Sequence, residues 1–174
     1  MQSFGFSLRP LALVVAALLL VPVAQAQQAA TTPPVRQPAA PGPATDLVLE
    51  AAQIAINACK ADGGQRIAVS VVDSKGVLKL LLAADGASPR GVSSSTAKAI
   101  TALKYQQATQ QLQQDKNLTA EIAKDSSLNA RPGGVLLQAK GEIIGALGIG
   151  GGKTDHACAE AGVAAIQARL QKVG

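Results

Sequence analysis

The chain has 174 residues, a formal charge of +5 and an apolar content of 48%, enough for one domain with a sizeable core. Aromatic residues make up 2% of it, so the stacking platforms needed to hold single-stranded nucleic acid are missing, and no run of Lys or Arg forms a nucleic-acid stripe. Cysteine appears twice and histidine once, too few for a four-ligand zinc site.

The chain opens with Arg9 in a positive n-region, an apolar run over residues 11–23, and Ala24-Gln25-Ala26 in the small-x-small form of a cleavage site. The run is shorter than the roughly 20 residues a membrane helix needs. Residues 1–26 therefore read as a secretory signal peptide cleaved after Ala26, which sends the mature chain to the periplasm or the outside of the cell with no membrane span. Residues 27–44 are rich in Pro, Ala, Gln and Thr and read as a disordered linker. Residues 45–174 are the domain.

Within it, a helix is expected over residues 45–62, with Thr45 as its N-cap and Leu47, Ala51, Ile54 and Ala58 on one stripe. Gly63-Gly64 ends it. Residues 66–73 and 77–84 read as two strands joined by Asp73-Ser74-Lys75-Gly76, and Asp85-Gly86-Ala87-Ser88-Pro89 breaks the second. A helix capped by Ser93, Ser94 or Ser95 is expected to run to about residue 108. A short Gln-rich helical piece follows to about residue 116, and then a less regular stretch over residues 118–129. Two more strands, residues 134–139 and 142–149, flank a Lys140-Gly141 turn, and residues 155–172 form the last helix. Hairpin-linked strands imply an antiparallel sheet. The expected fold is α+β: two hairpins giving four to five strands, covered by the N- and C-terminal helices.

Cys59 falls late in the first helix and Cys158 early in the last. In an exported chain an even pair suggests a disulfide, and antiparallel packing of the two helices would let them face each other; two buried thiols are the alternative.

The glycine cluster before the last helix invites a phosphate-loop reading, because Gly152-Lys153-Thr154 follows a strand and opens a helix. The pattern fails: the required first glycine is Leu147, and the third glycine of a dinucleotide fingerprint is Lys153. An anion held by the backbone amides near Thr154 stays open. No Gly-x-Ser-x-Gly elbow exists, and His156 and Cys158, two residues apart on a helix, do not face each other, so no catalytic set emerges. Lys98, Thr101 and Tyr105 lie three to four residues apart and share a helix face that could line a pocket; a small-residue face with a snorkelling lysine is the alternative.

Several blocks in order resemble the GlcG/HbpS-like haem-binding family. They are residues 69–76 (Val-Ser-Val-Val-Asp-Ser-Lys-Gly), 85–87 (Asp-Gly-Ala), 98–102 (Lys-Ala-Ile-Thr-Ala), 133–137 (Gly-Gly-Val-Leu-Leu), 141–151 (Gly-Glu-Ile-Ile-Gly-Ala-Leu-Gly-Ile-Gly-Gly) and 155–162 (Asp-His-Ala-Cys-Ala-Glu-Ala-Gly). Together they span nearly all of the domain. The resemblance implies a profilin-like antiparallel sheet with flanking helices, a homo-oligomer, and haem as ligand. Members differ in the ligand to iron, which includes a Thr in one and a His in another. Thr101 stands here as the analogue of that Thr. The chain has no histidine near its first helix, so His156 would be a separate solution as axial ligand. The sites expected on this reading are Lys98 or Arg131 as the cation for a propionate, Gly133 and Gly134 in the loop beside it, and His156, Thr101 or Tyr105 toward iron. A non-enzymatic haem or tetrapyrrole binder is the first reading. A protein that binds or processes a small hydroxy acid such as glycolate, its carboxylate held by Lys98, Arg131 and the glycine loop, is the second.

Overall fold

The computed structural model describes residues 41–172. The expected signal peptide, residues 1–26, and residues 27–40 of the expected linker lie outside the described residues. Residues 41–44 carry no regular structure but are held: Pro41 O accepts from Ser74 N at 3.1 Å and Pro43 O from Lys79 Nζ at 2.7 Å.

The elements in chain order are α1 (Thr45–Ala61), β1 (Ala68–Asp73), β2 (Leu78–Ala83), α2 (Pro89–Tyr105), α3 (Thr109–Leu112), α4 (Lys116–Ile122), β3 (Gly134–Ala139), β4 (Glu142–Gly150) and α5 (Asp155–Leu170). The four strands form one antiparallel sheet in the order β2-β1-β4-β3. Both hairpins follow from their turns. At Lys140-Gly141 both residues take positive φ, 51° and 82°, the twist a two-residue hairpin requires.

Alternation along the strands sorts side chains onto two faces. Val69, Val71, Val135, Leu137, Leu147 and Ile149 join Val48, Ala51, Ala55, Ile166 and Leu170 in the main core under α1 and α5. The two helices meet closely, since a Cβ on Gly162 would lie 2.5 Å from Ala51 O. Cys59 and Cys158 are joined as a disulfide at this contact, with Cα atoms 5.6 Å apart.

The opposite face is covered too, by α2. Here Val72 and Ala146 pack against Ala99 and Ala102. Ser70 Oγ bonds Ser95 Oγ at 2.7 Å and Thr96 Oγ1 at 2.8 Å. Covered on both sides, β1 is buried along its whole length. The glycines of β3 and β4 make this second layer geometrically feasible. A Cβ on Gly134, Gly148 or Gly150 would lie 2.3, 2.1 or 2.4 Å from the carbonyl oxygens of Lys98, Ser95 and Gly91, which line one stripe of α2. The glycine cluster that resembled a phosphate loop is therefore a bed for a helix backbone.

Several boundaries differ from the sequence expectation. The residue at the N-cap of α1 is Ala44, with no side-chain cap, and Thr45 is already helical. α2 starts at Pro89, several residues before the serines expected to cap it. Ser88 Oγ accepts from Gly91 N at 3.0 Å, and Pro89 occupies the first turn, where its missing N–H costs nothing. The Gln-rich helix shrinks to the four residues of α3. The next helix begins at Lys116, ahead of the stretch over residues 118–129 in which one helical turn is expected, because Asp115 caps it by accepting from Asn117 N and Leu118 N at 2.9 and 3.0 Å.

Candidate functional site

A groove of about 840 Å³ opens between the first turns of α2, the loop over residues 126–132 and the turn from β4 into α5. That volume is in the ~300–1,000 Å³ range of small-molecule clefts.

Its floor is an ion pair. Lys98 Nζ donates to Asp155 Oδ2 at 2.6 Å, and both side chains are buried. Asp155 Oδ1 accepts from Gly152 N at 2.8 Å, so the carboxylate joins α2, the turn and the start of α5. Gly133 makes room for the pair: at φ 128°, a Cβ there would lie 2.8 Å from Asp155 Cβ and 3.1 Å from Lys98 Nζ. Burial pushes the Lys98 ammonium below the usual lysine range; its bond to Asp155 opposes that shift, and the nearby Arg131 charge adds to it.

The rim is cationic. Arg90, Arg131 and Lys153 line the groove and are exposed. Among the described residues no carboxylate lies within ion-pair distance of any of the three. Between them stand polar groups from Ser93, Ser94 and Asn129, with Ala97, Leu128 and Pro132 as apolar wall.

Asn129 organises the loop that carries Arg131. Its Oδ1 accepts from Arg131 N at 2.9 Å, its Nδ2 donates to Ser94 Oγ at 2.9 Å, and its backbone N donates to Thr101 Oγ1 at 2.8 Å. The Thr101 hydroxyl also donates to Ala97 O at 2.7 Å, so it is engaged on both sides and fully buried. Thr101 thus acts on the groove through Asn129.

The structure brings Lys98, Arg131 and Gly133 together at one place. Gly134 lies beneath α2, its N–H donating to Thr109 Oγ1 at 2.8 Å. Tyr105 sits away from the groove lining, packed on the small cluster of Leu112, Ile122 and Leu128, with Lys104 Nζ 6.0 Å from its ring centre. His156 also lies off the lining. Its Nε2 is 3.2 Å from Glu160 Oε1, and its Nδ1 is buried with no hydrogen-bond partner among the described residues.

Backbone amides at the start of α5 are taken by the chain itself. Gln65 Oε1 accepts from Lys153 N and from Thr154 N, the latter at 3.3 Å, while Gln65 Nε2 donates to Thr154 Oγ1 at 2.7 Å. The anion position left open near Thr154 is filled by Gln65 and Asp155. Sequence reasoning missed Arg90, Asn129, Lys153, Asp155 and Gln65 as site residues. Only the Asn-Ala-Arg-Pro run at 129–132, a loop-forming combination beside the glycine pair, carried a local signal for one of them.

The model of a family described as "Haem degrading protein HbpS-like" matches residues 44–164. The chain belongs to the HbpS-like family. Solved structures agree. The crystal structure of HbpS is 26% identical with a TM-score of 0.66, the match covering 76% of this chain and 94% of that one. A double mutant of HbpS from Streptomyces reticuli is also 26% identical at TM-score 0.66, covering 90% and 99%. PduOC, crystallised as a haem complex, shares the fold at 23% identity and TM-score 0.65, covering 72% and 95%. No curated protein matches the chain by sequence. Membership brings the antiparallel α+β fold seen here. Among the described residues no helix is long and apolar enough to cross a membrane.

Proposed function

We propose that this chain is an exported, non-enzymatic binding protein for haem or a related tetrapyrrole, directed to the periplasm or the outside of the cell by residues 1–26 and working as a homo-oligomer. The observation that carries the reading is the groove, where Arg90, Arg131 and Lys153 stand with no acidic partner among the described residues, over a floor in which Lys98 is already neutralised by Asp155. Such a rim suits a ligand with two or more carboxylates, which a haem presents on one edge. Ala97, Leu128, Pro132 and the aliphatic stems of the rim cations offer apolar contact to a macrocycle. Exposed Val77, Leu78 and Leu81, on or beside the edge strand β2, support self-association.

The residues present fit a haem's carboxylates and do not fit its iron. The groove lining has no imidazole, thiolate, thioether or phenol. The chain's part is to bind and orient through charge, with Asn129 and Thr101 setting the position of Arg131.

A second reading has its own support. The polar groups of Ser93, Ser94 and Asn129 between the cations suit a small hydroxy acid such as glycolate, with Arg131 on its carboxylate.

The test is a Soret titration of the chain from Gln27 with haem, compared with the Arg131→Ala/Lys153→Ala double variant. The reading expects a saturable, shifted band whose affinity drops at least about tenfold in the double variant, given charge-assisted bonds of roughly 1.5–3 kcal/mol each. No saturable band, together with a thermal shift on adding glycolate, would favour the hydroxy acid.

A further inference from the structure

We infer that the groove recognises a tetrapyrrole by its carboxylates alone, so that a metal-free porphyrin is held as tightly as haem. The inference rests on the proposed tetrapyrrole reading and concerns what this chain reads on that ligand.

The whole sequence has few side chains that serve as axial ligands to haem iron: one His, one Tyr, two Cys and Met1. The two cysteines are consumed by the disulfide. His156 follows Asp155 directly on α5, and successive residues on a helix diverge by about 100°. With the Asp155 carboxylate turned into the groove floor, the imidazole is turned elsewhere, onto Glu160. Tyr105 packs into the Leu112–Ile122–Leu128 cluster. Thr101 Oγ1 is fully buried and already both donates and accepts. The remaining nitrogen on the floor, Lys98 Nζ, donates to Asp155. Guanidinium groups, and the ammonium of Lys153, are donors only and have no lone pair to offer. A second copy of the chain brings the same His156 and Tyr105, held there by the same contacts to Glu160 and to the Leu112–Ile122–Leu128 cluster. Against this stand three exposed cations without acidic partners among the described residues, which match carboxylates whatever the macrocycle contains.

The experiment uses the chain from Gln27 and three probes: haem, protoporphyrin IX and protoporphyrin IX dimethyl ester. Binding is read by absorbance for haem and by porphyrin fluorescence for the other two. His156→Ala and Arg131→Ala/Lys153→Ala are measured in parallel. Affinities for haem and protoporphyrin IX are expected to agree within about threefold, with the dimethyl ester at least about tenfold weaker. His156→Ala should leave the haem affinity and band unchanged, and the double variant should weaken haem and free porphyrin by the same factor. A free porphyrin held tenfold or more weaker than haem, or a Soret shift lost in His156→Ala, overturns carboxylate-only recognition while leaving tetrapyrrole binding standing. If neither haem nor free porphyrin saturates, both readings fall.

Discussion

Gly148→Ala tests whether the glycine cluster exists to seat α2. An added Cβ would lie 2.1 Å from Ser95 O, 2.5 Å from Ala99 N and 3.0 Å from Ala99 Cβ, where ordinary contact begins at 3.4 Å. The two closest atoms are backbone, so no rotamer change relieves them, and α2 must lift by about 1 Å. Lifting separates Ala99 and Ala102 from Val72 and Ala146 and strains the Ser70–Ser95 hydroxyl contact. Overpacking of this kind costs about 3 kcal/mol or more, the upper end of its usual range. At roughly 4 °C per kcal/mol for a domain of this size, Tm falls by about 12 °C. Urea unfolding followed by far-UV circular dichroism measures the free-energy loss, and thermal unfolding by the same signal measures Tm. The comparison is Gly152→Ala, whose Cβ meets the ends of the Gln65 and Asp155 side chains at 2.6 and 2.7 Å, groups that can rotate away at the expense of their bonds to the α5 amides. Its cost should be about 1–2 kcal/mol. A phosphate loop would make Gly152 the sensitive position and Gly148 a tolerant one. Gly148→Ala within about 0.5 kcal/mol of wild type, the range of neutral surface changes, would refute the packing argument.

Reduction of the Cys59–Cys158 bridge, which spans 99 residues of sequence, should lower stability by about 3–5 kcal/mol in the chain-entropy model; mass spectrometry reports the bridge, and urea midpoints with and without reductant report the loss. Lys98→Met leaves Asp155 buried without its partner and should cost about 3–5 kcal/mol, whereas adding Asp155→Leu to it should recover part of that, a coupling read from a double-mutant cycle. The pH dependence follows from the lowered Lys98 value: the folded chain releases this proton before the unfolded chain does, so the contribution of Lys98 is least favourable below its folded-state value and rises with pH from there up to 10.5. Denaturant midpoints across that window should show the rise in wild type and its absence in Lys98→Met. Gln65→Ala frees the amides of Lys153 and Thr154 and should cost about 1–2 kcal/mol, measurable in the same assay.

Much of the architecture was legible in the sequence because it is written locally. Asp73-Ser74-Lys75-Gly76 and Lys140-Gly141 are turn chemistry, and alternating Val and Leu mark the strands they join. The helical period of Leu47, Ala51, Ile54 and Ala58 locates α1, although its buried face turns toward Ala52, Ala55, Ile56 and Cys59 and leaves Ile54 and Ala58 half-buried, and the positions of the two cysteines anticipated a contact with α5. The start of α2 was hidden because Asp85-Gly86-Ala87-Ser88-Pro89 read as a breaker, although proline is favoured in a first turn. The second layer was hidden for a related reason: glycines in β3 and β4 carry no side chain to announce a packing partner. The groove was the least legible part. Lys98 and Asp155 are 57 residues apart, Gln65 reaches across 89 to Thr154, and Asn129 acts from a loop with no period. Local patterns do not encode such pairings; the family resemblance supplied the fold and the ligand class, but not these contacts.

On the proposed reading the ligand sits on the cationic rim formed by Arg90, Arg131 and Lys153. The most direct measurement is a backbone amide NMR titration of the chain from Gln27 with protoporphyrin IX. On that reading, shifts are expected to concentrate at Arg90, Ser93, Ser94, Asn129, Arg131 and Lys153, with His156 onward and the β2 edge unmoved. Saturable shifts centred on β2 or around Glu160, with the rim amides still, would contradict it.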